Sequence, residues 1–255
     1  MSRTVLITGA SSGIGRACAE SFAAAGDRLI LVARRADRLA ALAEELAAAH
    51  GTESLTVALD VREREEVSAA LSPDALGTTW ASIDVLVNGA GLAAGQEPLP
   101  GGDPMDWDRM LDTNVKGTLS VIRAVVPGMV ARRHGHVVNL GSIAGRETYP
   151  SGAVYCASKA ALDSITKGLR MDVIGSGVRV STVDPGLVET EFSLVRFDGD
   201  ATRAADVYAG MTPLTPGDVA ESIRWVVDRP PHVVVADMVL FPVAQAAARM
   251  VHRES

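Results

Sequence analysis

Short apolar runs alternate with amphipathic stretches along the chain. Residues 4–8, 28–33, 54–59, 83–87, 135–140, 178–183 and 232–240 are compact apolar runs, most of them bounded by glycine, proline or charged residues, the pattern of strands buried on both faces. Between them, apolar residues recur at helical spacing over 16–25, 36–50, 63–71 and 106–130, in a stretch beginning at Tyr155, and over 219–228. Thr215-Pro216-Gly217-Asp218 is suited to cap the last of these. Residues 72–82 read as loop and short helix, and the Gly/Pro-rich 98–104 as loop. Strand and helix taking turns predict an α/β fold, a doubly wound (Rossmann) parallel sheet of about seven strands with helices on both faces, built as a single domain over 1–255.

Three segments depart from that alternation. The long helix meets Thr113-Asn114-Val115-Lys116-Gly117, where Asn and Gly are poor interior choices, and a disfavoured polar residue in a buried helix signals strain or function. The segment 187–212 is polar with scattered aromatics, among them Phe192 and Phe197, and suits a movable cover over a site. The tail 242–255 has no regular period, and docking against another subunit is the expectation for it.

Composition narrows the class. Of 255 residues, 47% are hydrophobic and 22% charged, ample for a large core. A net charge of −7 with no basic cluster argues against nucleic acid as a partner. The two cysteines, Cys18 and Cys156, fall in separate predicted helices without disulfide or zinc spacing, which fits a reducing cytoplasm. Met1-Ser2-Arg3 leads straight into a β-like run rather than a signal segment, and no apolar run approaches the roughly 18 residues of a membrane span.

The residues that draw attention sit at predicted strand ends, where ligands gather in such sheets. Gly9-Ala10-Ser11-Ser12-Gly13-Ile14-Gly15 joins strand to helix, the context in which a phosphate rests on a helix N-terminus. Gly9 permits the tight turn, Gly13 a close approach to pyrophosphate, and Gly15 close helix–strand packing. A plain glycine-rich βα turn is the alternative, while a P-loop is excluded because Gly-Lys-Ser/Thr is absent. The second strand ends in Arg34-Arg35, without the acidic residue that binds the ribose 2′-hydroxyl of NAD. Guanidinium forks there suit the 2′-phosphate of NADP, unless they are merely solvated charges flanking the next helix. Asp60 closes the third strand, positioned to accept from an adenine amino group, and Asn88 closes the fourth, positioned to tie neighbouring strands.

Tyr155 and Lys159 are four apart on one helix and therefore share a face. A free tyrosine titrates near pH 10. A cation nearby favours the phenolate, giving a group that donates or accepts a proton, as carbonyl–alcohol interconversion requires. The same spacing also arises by chance on solvated helix faces. The five histidines lack ligand spacing and no metal is expected; His134 and His136, flanking Gly135, read as exposed turn residues.

Taken in order, Thr8-Gly9-Ala10-Ser11-Ser12-Gly13-Ile14-Gly15, Asn88-Gly89-Ala90-Gly91, Asn114, Ser142, Tyr155 with Lys159, and Pro185-Gly186-Leu187-Val188-Glu189-Thr190 resemble the short-chain dehydrogenase/reductase family over most of the chain. Gly89 departs from the second Asn of many members, a change expected to alter local hydrogen bonding without removing activity. The run from Asp184 through Thr190-Glu191-Phe192-Ser193-Leu194-Val195-Arg196-Phe197, with Gly91-Leu92-Ala93, Pro98, Pro127-Gly128-Met129 and Val251-His252-Arg253, is similar to the NADP-dependent 3-hydroxy acid dehydrogenases acting on serine and 3-hydroxypropionate.

That resemblance implies NADP lying across the strand ends, held by Gly9, Ser11, Ser12, Gly13, Ile14, Gly15, Arg34, Arg35, Asp60, Val61, Asn88, Ala90, Gly91, Tyr155, Lys159, Pro185, Gly186, Val188 and Thr190. It implies Tyr155 as proton donor and acceptor, Ser142 as hydrogen-bond donor to the reacting oxygen, and Lys159 as the cation that lowers the Tyr155 pKa and holds the nicotinamide ribose. Asn114 would place a water relaying protons from Lys159. A 3-hydroxy acid needs a cation for its carboxylate: Arg196 on the cover first, Arg146 just past Ser142 second, with Phe192 beside the substrate, the alternative for both arginines being surface salt bridges. Family members of this kind imply a homotetramer. Two rival functions remain: a reductase of bulkier ketones or aldehydes, and a non-catalytic NADP-binding regulator, against which Tyr155, Lys159, Ser142 and Asn114 are all present.

Overall fold

In the computed structural model the apolar runs become parallel strands, and the amphipathic segments become the crossovers between them. It describes residues 2–254; Met1 and Ser255, the ends of the expected 1–255 unit, lie outside the described residues. The first half runs β1 (Thr4–Thr8), α1 (Gly13–Ala24), β2 (Arg28–Ala33), α2 (Ala36–His50), β3 (Ser54–Ala58), α3 (Arg64–Ala70), α4 (Pro73–Trp80) and β4 (Val85–Asn88). The second runs α5 (Pro104–Leu111), α6 (Thr118–Arg132), β5 (Gly135–Leu140), α7 (Ala153–Asp172), β6 (Val178–Pro185), α8 (Phe192–Arg196), α9 (Ala201–Asp206), α10 (Pro216–Val227) and β7 (Asp237–Leu240).

The seven strands are parallel throughout, in the order β3-β2-β1-β4-β5-β6-β7. The chain winds outward from β1 to β3, then returns to lay β4 against the other side of β1. Helices therefore diverge at the carboxyl ends of β1 and β4 and leave a crevice there. Alternation along each strand feeds two cores. Val5, Ile7, Leu29 and Leu31 face Cys18 and Phe22 of α1, Leu39 and Leu42 of α2, and Val219 and Ile223 of α10. Leu6, Ile30, Val32 and Leu86 face Val67, Leu76, Val121, Val125 and Met129 on the opposite side. Apolar residues on both faces are what made the strand runs unbroken in sequence. The Thr215/Asp218 capping box starts α10 as expected. Among the described residues no helix is long and apolar enough to cross a membrane.

Three expectations change. The break in the long helix is a π-helical turn, Asp112–Gly117, set between α5 and α6 without interrupting the helical run. One widened turn absorbs Asn114 and aims its side chain inward. Strand β7 is shorter than 232–240, because the preceding residues are drawn into other bonds. The Val233 amide donates to the Pro230 carbonyl, and the guanidiniums of Arg179 and Arg170 take the carbonyls of Val233 and Ala236.

His136 is the third. His134 is exposed as expected, but His136 lies inside β5, 1% exposed. Its Nε2 is 2.8 Å from Ser181 Oγ on β6. Burial, with the positive Arg179 adding to it, pushes the imidazole from 6.5 down to about 3. The unfolded chain thus binds the extra proton between those values. His136 contributes stability that is full above pH 6.5 and is lost as pH falls toward 3. Wild type is expected to lose more stability than His136→Gln across that window, with a difference approaching about 1.4 kcal/mol per pH unit. Urea unfolding at stepped pH measures it, and parallel slopes for the two proteins would sink the prediction.

Candidate active site

A cleft of about 400 Å³ opens at the carboxyl ends of the strands, running from Arg34 and Arg35 at one end to Tyr155 and Arg196 at the other. One end is built by the turn between β1 and α1. Gly9 and Gly13 take φ of +74° and +52°, the left-handed region that disfavours a side chain. A Cβ on Gly15 would collide with the Gly9 carbonyl, so α1 seats directly on the turn. Ser12 occupies the N-cap position of α1 without capping it through its side chain. Its hydroxyl instead accepts from Arg35 Nη2 at 2.8 Å. The first amides of α1 are thus without a side-chain cap beside a guanidinium, a seat for phosphate.

Arg35 also donates to Ser11 Oγ from Nε and Nη2, at 3.2 and 3.0 Å. Arg34 is exposed on the rim of the same cleft. Two residues not anticipated from sequence complete this end. Glu191 of the cover pairs with Arg35 at 3.2 Å and with Arg38 at 2.9 Å. Burial alone would raise the Glu191 carboxyl, but the bonds from Arg38 and Arg35 outweigh it and hold the group below its ordinary value. A guanidinium fork beside two serine hydroxyls is a donor set suited to an oxyanion, and Glu191 occupies part of it. Arg38 was legible as a residue one helical turn after Arg35; Glu191 was not.

Farther along, Asp60 and Val61 line the wall, with the Asp60 carboxylate held by Arg62 at 2.6 Å. Ala90 and Gly91 line it as expected, whereas Asn88 lies beneath it, donating to Asn139 Oδ1 at 3.0 Å across β4 and β5. Asn88 therefore ties strands rather than facing the cleft. The amides of Gly89 and Ala90 both donate to Thr8 Oγ1 at 3.1 Å. A Cβ at Gly89 would lie 2.8 Å from the Thr8 carbonyl, so glycine suits this tight junction. Ile14, Pro185, Gly186, Val188 and Thr190 also line the cleft.

At the other end Tyr155 and Lys159 are 8% and 7% exposed, on the inner face of α7, and both line the cleft. That removes the solvated-face alternative. Their electrostatics differ from expectation. Burial raises the Tyr155 phenol above its ordinary value and neighbouring Tyr149 adds to it, while Ser142 and Arg196 pull the other way. The Lys159 ammonium is instead bound to the Leu140 carbonyl at 2.8 Å, and burial pushes it down to about 8. The i, i+4 spacing puts the two residues on one face of α7, but Lys159 is not among the groups that act on the phenol, and desolvation dominates. Ser142, whose Oγ accepts from Ala144 N at 3.1 Å, stands beside the phenol. Asn114 sits behind the wall: its Nδ2 donates to the Leu92 carbonyl and to Ser158 Oγ, and its Oδ1 accepts from Leu92 N. A Cβ at Gly91 would be 3.1 Å from Asn114 Oδ1 and 3.6 Å from Lys159 Nζ, which places both beside one backbone position.

The expected cover folds as α8 and α9, stitched by Tyr208, whose hydroxyl donates to the Val188 carbonyl at 2.8 Å and meets Ser193 Oγ. The Phe192 ring lies 5.6 Å from that of Tyr155, so this segment reaches the Tyr155 end of the cleft. Arg196 faces the cleft, donating to the Tyr149 hydroxyl at 3.2 Å. Arg146, expected as the second cation, is not on the cleft wall. Its Nε donates to the buried Asp184 at 2.7 Å and its Nη2 pairs with Asp184 and Asp237, so it is a scaffold ion pair. The tail is held to the body of its own chain by several bonds. Gln245 Oε1 accepts from Leu187 N at 2.8 Å, Glu254 N donates to Gly210 O at 2.7 Å, and Arg253 binds the Val207 and Ala209 carbonyls. It thereby clips down the cover and brings Arg249 to the cleft.

A short chain dehydrogenase family model matches residues 3–199. The chain is 45% identical over 251 residues to an NADP-dependent 3-hydroxy acid dehydrogenase of Salmonella typhi, covering 98% of this chain and 99% of that protein. It is 43% identical over 257 residues to a serine 3-dehydrogenase of Rhizobium radiobacter, covering 100% of both. The solved closed form of serine dehydrogenase complexed with NADP+ superposes with a TM-score of 0.91 at 43% identity, covering 98% of this chain and 100% of that one.

Proposed function

This chain belongs to the short-chain dehydrogenase family, and on that premise we propose that it is an NADP-dependent oxidoreductase interconverting the alcohol of a small 3-hydroxy acid, such as serine or 3-hydroxypropionate, with its carbonyl. The observation carrying this reading is one cleft with a buried Tyr155–Lys159 pair at one end and an Arg35–Ser11–Ser12 cradle at the other. NADP bound there supplies the hydride chemistry. Its pyrophosphate suits the turn of Gly9, Gly13 and Gly15, and its 2′-phosphate suits Arg35, with Arg34 on the rim.

The protein's own part is proton handling and orientation. Tyr155, kept neutral by burial, donates its phenolic proton to the carbonyl oxygen during reduction and takes it back during oxidation. Ser142 donates a hydrogen bond to that oxygen. Lys159, an ammonium at neutral pH with its pKa near 8, holds the nicotinamide ribose and passes protons onward. Asn114 secures the Leu92 backbone beside it and supports the exit toward solvent. Arg196 and Phe192 meet the substrate from the cover.

Assembly as a homotetramer in the cytoplasm belongs to the same reading. It is supported by exposed apolar side chains on the helical run and the end of α7, Leu111, Leu119, Val130 and Met171. The test follows NADPH absorbance with L-serine and 3-hydroxypropionate in one direction and malonic semialdehyde in the other. Turnover with NADP(H) well above that with NAD(H) is expected. Activity confined to bulkier ketones or aldehydes would overturn the hydroxy-acid assignment.

A further inference from the structure

We propose that Arg249, delivered by the C-terminal tail, is a specificity-determining residue that joins Arg196 over Tyr149 to form a two-guanidinium clamp for the substrate carboxylate. The inference rests on the hydroxy-acid reading above but adds a residue outside the motifs that suggested it.

Three observations converge on it. The tail presents Arg249 on a closed turn rather than a loose end. Ala246 N donates to the Met250 carbonyl at 2.9 Å, Met250 N to Ala247 at 3.2 Å and His252 N to Ala244 at 2.8 Å, while Gln245 and Val251 bridge antiparallel. The turn is pinned to the body at two points, Gln245 to Leu187 N and Ala248 N to Glu147 Oε2, the latter at 2.7 Å.

Secondly, the Arg249 and Arg196 guanidiniums each lie 5.7 Å from the centre of the Tyr149 ring. Among the described residues neither forms an ion pair, although Arg16, Arg35, Arg38, Arg62 and Arg146 all do. Two cations drawn to one ring and lining one cleft raise the positive potential there, and the ring offsets only part of it. An anion bound in the cleft within reach of both lowers that potential and receives donors from planar forks.

Thirdly, the clamp is at the right place. Arg196, Arg249 and Tyr149 line the cleft with Tyr155, and Arg196 and Tyr149 are among the groups that act on the Tyr155 phenol. A carboxylate held there leaves its neighbouring carbons facing the proton donor. A neutral alcohol of the same length gains nothing from the clamp.

The experiment compares wild type, Arg249→Ala and Arg249→Lys with 3-hydroxypropionate and with 1-propanol, alongside NADPH titration and the rise in melting temperature caused by malonate. For Arg249→Ala, KM for 3-hydroxypropionate is expected to rise about tenfold, with kcat, 1-propanol kinetics and NADPH affinity unchanged. The lysine variant should recover part of the loss. Hydroxy-acid turnover with the same KM in wild type and Arg249→Ala overturns the clamp and leaves the proposed function standing. Absence of hydroxy-acid turnover, with a malonate shift in wild type that disappears in Arg249→Ala, does the reverse. No malonate shift and no KM change would overturn the clamp outright.

Discussion

Tyr155→Phe is expected to lower kcat by about 10²–10⁴-fold in both directions, the usual worth of positioned acid–base catalysis. The ring stays in place, because it is buried at 8% exposure against Phe192, and only the hydroxyl is lost. NADPH affinity and melting temperature should hardly move, which separates lost chemistry from lost structure. Ser142 remains to polarise the carbonyl, so a residual rate is expected rather than none. The pH response follows from the same burial: a phenol held above its ordinary pKa is a ready acid but a poor base. Alcohol oxidation by wild type should therefore quicken as pH rises, and this rise should vanish with the hydroxyl. A variant retaining more than a tenth of wild-type kcat would remove Tyr155 from the proton path.

The second large effect is expected at Arg35. Arg35→Ala should weaken NADPH binding by about 10- to 100-fold and leave NADH binding nearly unchanged, since hydrogen bonds to charged groups are worth about 1.5–3 kcal/mol. Ser11 and Ser12 orient the guanidinium from one side and Glu191 from the other. The carboxylate of Glu191 competes with a 2′-phosphate for the same donors, so Glu191→Gln should shift affinity the other way. That change should be small, a few-fold, because the pair is exposed and such pairs contribute about 0–1 kcal/mol. Fluorescence titration with both cofactors measures each effect. Equal losses of NADPH and NADH affinity in Arg35→Ala would mean that Arg35 supports the turn rather than reading the phosphate.

The amino-acid sequence determined whatever depends on neighbours along the chain. The strands 28–33 and 135–140 and the helix 36–50 were legible to the residue, because apolar period and flanking Gly or Pro are local properties. The glycine turn, the Tyr155–Lys159 spacing and the cap at Thr215 are equally local, and with them came the sheet, the cofactor class and the proposed centre of the chemistry. Tertiary structure decided what depends on contacts between distant segments. Arg38 and Glu191 are 153 residues apart, and Arg146 reaches Asp184 across 38; neither meeting leaves a mark in local pattern. His136 looked like a turn residue because its neighbours are Gly135 and His134, yet strand pairing and a covering layer make it core. The Tyr155 phenol was expected to be lowered by an adjacent lysine, but its pKa is set by how completely the fold removes water from it. The tail has no period to read, since its backbone bonds go to its own turn and to the cover rather than to a regular element. Only folding brings Arg249 to the same ring as Arg196.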